Sequence, residues 1–284
     1  MRIGINLPFK QANGDAPTAQ YLMQRARRLE EIGYDGIWMG DTVGRWNFTG
    51  VDSLQWLEAA AAGTERIELG TAVMQVPLRR PVEFANALMT LAALSGGRFS
   101  AGLGSGSLPA DFEAVGVDHA ARFRLLREGA PVIRALLSGE TVGTACLHPW
   151  PNVAKPPILI AAWHNGPWLK RAAQEYDGWI ASAFNTNLQA FRQGMQRYRD
   201  FGGQGRTMIA TIGVNLSAES KALKDDERYN LVCGPAEALE RIHKVADLGF
   251  DDLLVARLNY SSEDWPDDEL IQLRELTRMV QTVK

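Results

Sequence analysis

Eight times along the chain a short, β-rich apolar run gives way to a longer segment of helical period, and this alternation limits the possible folds more than any other feature. The runs cover residues 2–8, 36–41, 67–75, 98–106, 158–163, 178–182, 207–216 and 252–258. The segments that follow them cover 16–33, 52–63, 81–95, 120–138, 167–175, 188–202, 235–248 and 267–281. A helix returning between two strands makes those strands parallel, and a parallel sheet must be covered on its faces. Eight such units are the number that closes a (β/α)8 TIM barrel, and 284 residues suit that architecture.

The punctuation agrees. Pro81, Pro167 and Pro235 stand at first-turn positions, where a missing N–H costs nothing. Gly33, Gly96 and Gly249 follow the last periodic residue, as left-handed caps do. In the seventh helical segment Ala238, Ile242, Val245 and Leu248 form one stripe, with Glu237, Glu240, Arg241 and Lys244 off it. No linker or low-complexity stretch divides the sequence, so one domain over 1–284 is expected. Only the fourth crossover is irregular. Between residues 139 and 157 it carries Gly139, Gly143, Pro149, Pro151, Pro156 and Pro157, too many breakers for a helix.

Composition narrows the function. A formal net charge of −3 suits neither nucleic acid nor an anionic membrane surface, which would call for a clustered basic face. The tight trio Arg25, Arg27 and Arg28 shares its segment with Glu30 and Glu31 and reads as a solvated face. No apolar run approaches the roughly 20 residues of a membrane span. Residues 1–7 read as a strand rather than a signal peptide, so a cytoplasmic protein is expected. Cys146 and Cys233 match no CxxC spacing and read as two small thiols. His119, His148, His164 and His243 form no HxH or HxxxH pair, so no metal is expected. No GxSxG elbow marks a serine hydrolase.

In such a barrel the active site gathers on the loops after the strands. Gly102-Leu103-Gly104-Ser105-Gly106 ends the fourth run. Ser107 and the nearby Pro109 break a dinucleotide fingerprint, so the glycines signal a close approach, either of a ligand or of a neighbouring strand. Trp163-His164-Asn165-Gly166-Pro167 ends the fifth, with Asn165 as the expected helix cap; free N–H groups there suit an anion. Of the eight tryptophans, Trp38 and Trp179 fall inside strands, whereas Trp46 and Trp163 fall at the mouth, where flat rings suit a flat ligand.

Taken in order, Gly33-Tyr34-Asp35-Gly36-Ile37-Trp38 leading to Asp41, Leu69-Gly70-Thr71-Ala72-Val73 with Pro77-Leu78-Arg79-Arg80-Pro81, and Leu94-Ser95-Gly96-Gly97-Arg98-Phe99 into the glycine cluster resemble the bacterial luciferase-like family of flavin- and deazaflavin-dependent oxidoreductases. Gly166-Pro167, Tyr176-Asp177-Gly178-Trp179 and Gly234-Pro235-Ala236-Glu237 extend the likeness to about residue 258.

The resemblance implies a non-proline cis peptide at Ala72-Val73, behind the cofactor ring, and a cofactor phosphate near Asn165 and Gly166. It implies a coenzyme F420-dependent oxidoreductase that transfers hydride to or from a small, fairly apolar carbonyl or enone. The ring would lie among Thr71, Ala72, Val73, Met74, Gly104, Ser105, Gly106, Ala161 and Ala162, with Asp41, Thr42 and Trp46 beside the reacting atoms. An FMN-dependent monooxygenase, served by a flavin reductase partner, is the alternative on the same barrel, and a non-catalytic flavin-binding subunit is another. A homodimer is expected from the family. Two departures matter. Thr42 stands where many relatives have His, and Ser107 stands where the glucose-6-phosphate dehydrogenase branch has Glu. The resemblance therefore does not carry sugar-phosphate oxidation, which needs an acid and a base at those points.

Overall fold

The computed structural model describes residues 1–8, 10–11, 13–41, 43, 51–184, 186–257 and 265–281. Ten parallel strands make one sheet: β1 Arg2–Ile5, β2 Gly36–Met39, β3 Glu68–Thr71, β4 Met74–Gln75, β5 Phe99–Gly104, β6 Ile158–Ala161, β7 Gly178–Ser182, β8 Arg206–Asn215, β9 Leu231–Val232 and β10 Asp252–Arg257. Because β10 pairs with both β1 and β8, the sheet closes. Its strand β4 continues β3 after a break, and β9 only pairs beside the last two residues of β8, so the ring has the eight staves that the sequence alternation requires.

The helices are α1 Ala19–Ile32, α2 Ser53–Gly63, α3 Pro81–Leu94, α4 Pro109–Ala114, α5 Arg122–Leu137, α6 Trp168–Glu175, α7 Leu188–Asp200, α8 Pro235–Asp247 and α9 Asp267–Arg278. Thr18, Asp52 and Asn187 cap α1, α2 and α7 by accepting first-turn N–H groups. Gly33 and Gly249 take the expected left-handed conformation after their helices. The extra helix α4 and a 3₁₀ turn at His119–Ala121 are not anticipated from the sequence, where the glycine cluster and Pro109 read only as loop. Between 139 and 157 there is no helix, only an isolated antiparallel bridge between Val142 and Ala145.

Several expected strands prove shorter at their C-terminal ends: the ladders stop at Ile5, Met39 and Ala161 rather than at 8, 41 and 163. The residues beyond leave the sheet and form the mouth. One correction concerns α8. Arg241, off the apolar stripe, is buried, because its guanidinium donates to Lys221 O, Asn230 O, Asn230 Oδ1 and Glu237 Oε1 and so holds the 216–230 connection against the helix.

Side chains alternate between two cores. Those pointing outward, such as Ile3, Ile5, Ile37, Leu69, Ile209 and Val255, pack under the helices. Those pointing inward form a separate cluster of Trp38, Leu159, Ile180, Met208, Ala210 and Leu254. Trp38 is the large member, and it is admitted by glycines on three adjacent staves. A Cβ on Gly4, Gly36 or Gly70 would lie 2.5, 2.4 or 2.3 Å from its indole.

Beneath Trp38 the barrel is sealed by charge. The Arg206 guanidinium lies 5.3 Å from a Trp38 ring centroid and donates to both oxygens of Glu68 and of Asp252. Arg2 reaches the same two carboxylates from outside. Burial alone would lower the pKa of Arg206, but its bonds to Asp252 and Glu68 outweigh burial and raise it, so the guanidinium stays charged.

The glycine notch generates a prediction. Gly70→Ala is expected to destabilise the protein by about 1–3 kcal/mol through overpacking against Trp38. In a Trp38→Leu background, which vacates the notch, the same substitution should cost measurably less. Urea unfolding of the two single variants and the double variant measures the coupling, and additive effects would contradict the notch.

Candidate functional site

A cleft of about 540 Å³ opens at the sealed end and is lined by Arg2, Glu68, Arg98, Ser100 and Arg206 among others. Its polar groups are spent on one another: Arg98 alone donates to Ala61 O, Thr64 O, Thr64 Oγ1 and Ile67 O, and Ser100 donates to Glu68. That end reads as stability. The other end, where the strands finish, is the functional face of such barrels.

At this mouth the inward positions turn small. Ala72, Val73 and Ala161 rest half-buried on the Trp38 cluster and give it an apolar floor. The Ala72-Val73 peptide is cis, at the position the family resemblance implies, and it separates β3 from β4. Asp41 N–H donates to Val73 O, which ties the end of β2 to this irregularity.

The glycine cluster answers the question the sequence leaves open: its close approach is to the neighbouring strand. A Cβ on Gly102 would lie 1.9 Å from Thr71 O, and one on Gly104 would lie 2.7 Å from Val73 Cγ2 and 3.4 Å from Ala161 Cβ. Gly104 therefore makes room for Val73. Gly106, at φ +76°, leaves room for Gln75 and Phe112, and Ser105 beside it is half-buried.

Three expected contact residues face away from the floor. Thr71 is buried and its hydroxyl both donates to Gly102 O and accepts from Gly102 N–H, locking β3 to β5. Met74 belongs to the outer core, and Ala162 packs against that core while its carbonyl accepts from Trp179 Nε1. The strand alternation that puts 72 and 161 inward puts 71 and 162 outward.

Asp41 is held in place at the end of β2. Its side chain is only 2% exposed and forms a two-point pair with Arg79, at 2.5 and 2.9 Å. Oδ2 also accepts the Gln75 backbone N–H at 2.9 Å. The carboxylate thus anchors the β4 segment through Arg79 and the Gln75 N–H. Gln75 extends the anchor, since its Nε2 donates to Asp111 Oδ2 and to Asp41 O, while its buried Oε1 has no hydrogen-bond partner among the described residues.

The anion-site candidates Asn165 and Gly166 lie on the β6–α6 turn. Gly166 N–H donates to Trp163 O, and α6 starts at Trp168 behind Pro167, with no side-chain cap. Asn165 is therefore not the helix cap; it stands exposed two residues before the cap position, Pro167. Beside it, burial and then the charge of Arg197 lower the pKa of His164, which is neutral at pH 7. Trp163 and Phe184, at the ends of the adjacent strands β6 and β7, are 47% and 44% exposed apolar surfaces at the mouth. The candidates Thr42 and Trp46, and the aromatic Phe48, lie outside the described residues. Among the described residues no group of three or more His, Cys, Asp or Glu side chains is gathered for a metal, and no helix is long and apolar enough to cross a membrane.

Comparison with known proteins fits this geometry. The profile of the luciferase-like monooxygenase family matches residues 1–218. The chain belongs to that family. It is an oxidoreductase of the luciferase-like superfamily. An F420-dependent glucose-6-phosphate dehydrogenase from Beutenbergia cavernae is 29% identical over 79% of this chain and 83% of its own length. A 4-hydroxyprotoasukamycin monooxygenase from Streptomyces nodosus subsp. asukaensis is 36% identical, but over 42% of this chain and 32% of its own length. Among solved structures, the oxygenating constituent of 3,6-diketocamphane monooxygenase from Pseudomonas putida, in complex with FMN, superposes with a TM-score of 0.78 over 100% of both chains, at 15% identity.

Sequence reasoning missed the anchor. Arg79 appears in the quoted Pro77–Pro81 motif, but nothing in the sequence pairs it with Asp41, 38 residues away. Arg79→Ala is expected to cost about 3–5 kcal/mol, because it leaves the Asp41 charge buried and unpaired. Arg79→Ala combined with Asp41→Asn should recover a large part of that loss. A double variant no more stable in urea than Arg79→Ala would contradict the anchoring role.

Proposed function

We propose that this protein is a coenzyme F420-dependent oxidoreductase acting on a small, uncharged, fairly apolar carbonyl or enone. The observation that carries the reading is the floor: Ala72, Val73 and Ala161 pack as small apolar side chains on the Trp38 cluster, side by side along β3, β5 and β6, and Trp163 and Phe184 are exposed just past the ends of β6 and β7. A flat polycyclic ring fits a surface of that kind, where larger inward side chains would fill the space. Ser105 stands at one edge of the floor, and the exposed Asn165 turn offers backbone N–H groups to an anionic tail.

When bound, a deazaflavin supplies two-electron hydride chemistry. The chain's own contribution is orientation and exclusion of water. The floor fixes one face of the ring, and the Asp41–Arg79 pair keeps the β4 segment in place while cancelling its own charge. The floor and its rim are Ala, Val, Gly and Ser with flanking aromatics, which favours an uncharged reacting group there, while the one cation against these aromatics among the described residues, Arg228, is stacked 4.9 Å over the Phe184 ring. Thr42 and Ser107, in place of the family's His and Glu, support the same preference. The F420-dependent relative aligns along most of both chains, and this supports the deazaflavin over FMN.

Titrating the purified protein separately with F420 and with FMN tests the reading. F420 should bind with at least about 10-fold higher affinity, roughly 1.4 kcal/mol. Ala161→Phe, which fills the slot from β6, should remove that binding and leave the far-ultraviolet circular dichroism unchanged. Preferential binding of FMN, with oxygen consumption once it is reduced, would replace this reading with that of a flavin monooxygenase.

A further inference from the structure

Directly across the ring from the Ala72-Val73 irregularity, the chain breaks its own pattern a second time. Around the barrel the staves run β1, β2, β3, β5, β6, β7, β8 and β10, so β8 stands opposite β3. On β8 the register with β10 advances from Ile209↔Leu253 to Ile212↔Val255, which sets two residues, Ala210 and Thr211, against Leu254 alone. Thr211 sits there at φ +68°, the only non-glycine residue in the left-handed region among the described residues.

The bulge decides what β8 shows to the mouth. Met208 and Ala210 point inward, and Ile209, Ile212 and Val214 belong to the outer core. A regular strand continuing from 208 and 210 would turn Ile212, Val214 and Leu216 inward. One inserted residue reverses that alternation. Thr211, Gly213 and Asn215 are each half-buried, between fully buried Ile212 and Val214, so the open side of the strand is theirs. Glycine adopts a left-handed conformation freely, whereas a β-branched residue resists it. The position thus carries a side chain that its backbone disfavours. The Thr211 hydroxyl has no hydrogen-bond partner among the described residues.

We propose that Thr211 is the substrate-orienting hydrogen-bond donor of the mouth: its hydroxyl, aimed inward by the β8 bulge, receives the carbonyl oxygen of an uncharged ligand lying over the apolar floor. This deepens the reading of the mouth as a carbonyl-substrate site and rests on it. The role is specificity and orientation, with no proton transferred. An apolar pocket cannot strongly discriminate a ketone from a hydrocarbon of the same outline, whereas one placed donor can.

The test uses two probes of matched shape, cyclohexanone and methylenecyclohexane, titrated by ligand-observed nuclear magnetic resonance with and without saturating cofactor. The wild type should prefer the ketone by about 3- to 10-fold, the value of one hydrogen bond to a neutral acceptor. Thr211→Gly, which relaxes the backbone and so keeps the fold, should lose that preference; Thr211→Ser should keep it. Affinity for F420 or FMN, read in the same samples, should not change in either variant. No ketone preference in the wild type, or a preference that survives in Thr211→Gly, overturns the proposal. A protein that binds neither cofactor yet shows the Thr211-dependent preference refutes the cofactor reading and leaves this assignment standing.

Discussion

The insertion of Trp38 into the barrel axis is the packing event on which the rest of the architecture depends. Barrels of this type are usually filled by layers of branched aliphatic side chains contributed by alternate strands. Here one indole takes the space that Cβ atoms on Gly4, Gly36 and Gly70 would occupy, on three neighbouring staves. Its lower face meets the Arg206 guanidinium, and the aliphatic side chains of Leu159, Ile180, Met208 and Leu254 complete the layer around it. A single residue therefore fills the middle of the barrel, and the next inward positions along the strands are free to be alanine and glycine. The flat floor follows from the bulk below it.

Shape at the mouth comes from breaks in strand regularity more than from side-chain size. The interruption after Thr71 brings Val73 over Gly104, and the extra residue at 211 turns the far half of β8 inside out. One break faces the other across the ring. On the β3 side the outcome is apolar and supported from behind by the buried Asp41–Arg79 pair. On the β8 side it is small and polar. A ligand between them would meet two chemically different walls, built on a sheet whose strands are all paired in parallel.

How much of this is legible in the sequence depends on the range of the interaction. The eight-fold alternation, the proline and glycine punctuation and the tightness at 102–106 are local signals, and the architecture follows from them. Trp38 and Trp179 read as core because they lie inside strands, and both are fully buried. The mouth is legible only in outline. Asp41 looks like a free acid because its partner is far away in the chain, and Arg241 looks solvated because helical period says nothing about the loop that folds over it. Thr71, Met74 and Ala162 sit one residue from inward positions, where an error of one in strand phase exchanges the two cores. The β8 bulge is hidden for the same reason: Ile209, Ile212 and Val214 read as an ordinary apolar strand, and the skipped beat becomes visible only against the register of β10.

The ionic seal at the lower end has a kinetic meaning. With Arg206, Glu68, Asp252 and Arg2 closing one side and Trp38 filling the axis above them, the interior is a blind well rather than a passage. Two molecules that share such a well cannot trade places. In the proposed stack, the ring on the floor is covered by the substrate above it, so the lower molecule could leave only after the upper one. The closed bottom of the barrel thus leaves a single door, far from the groups that close the other end.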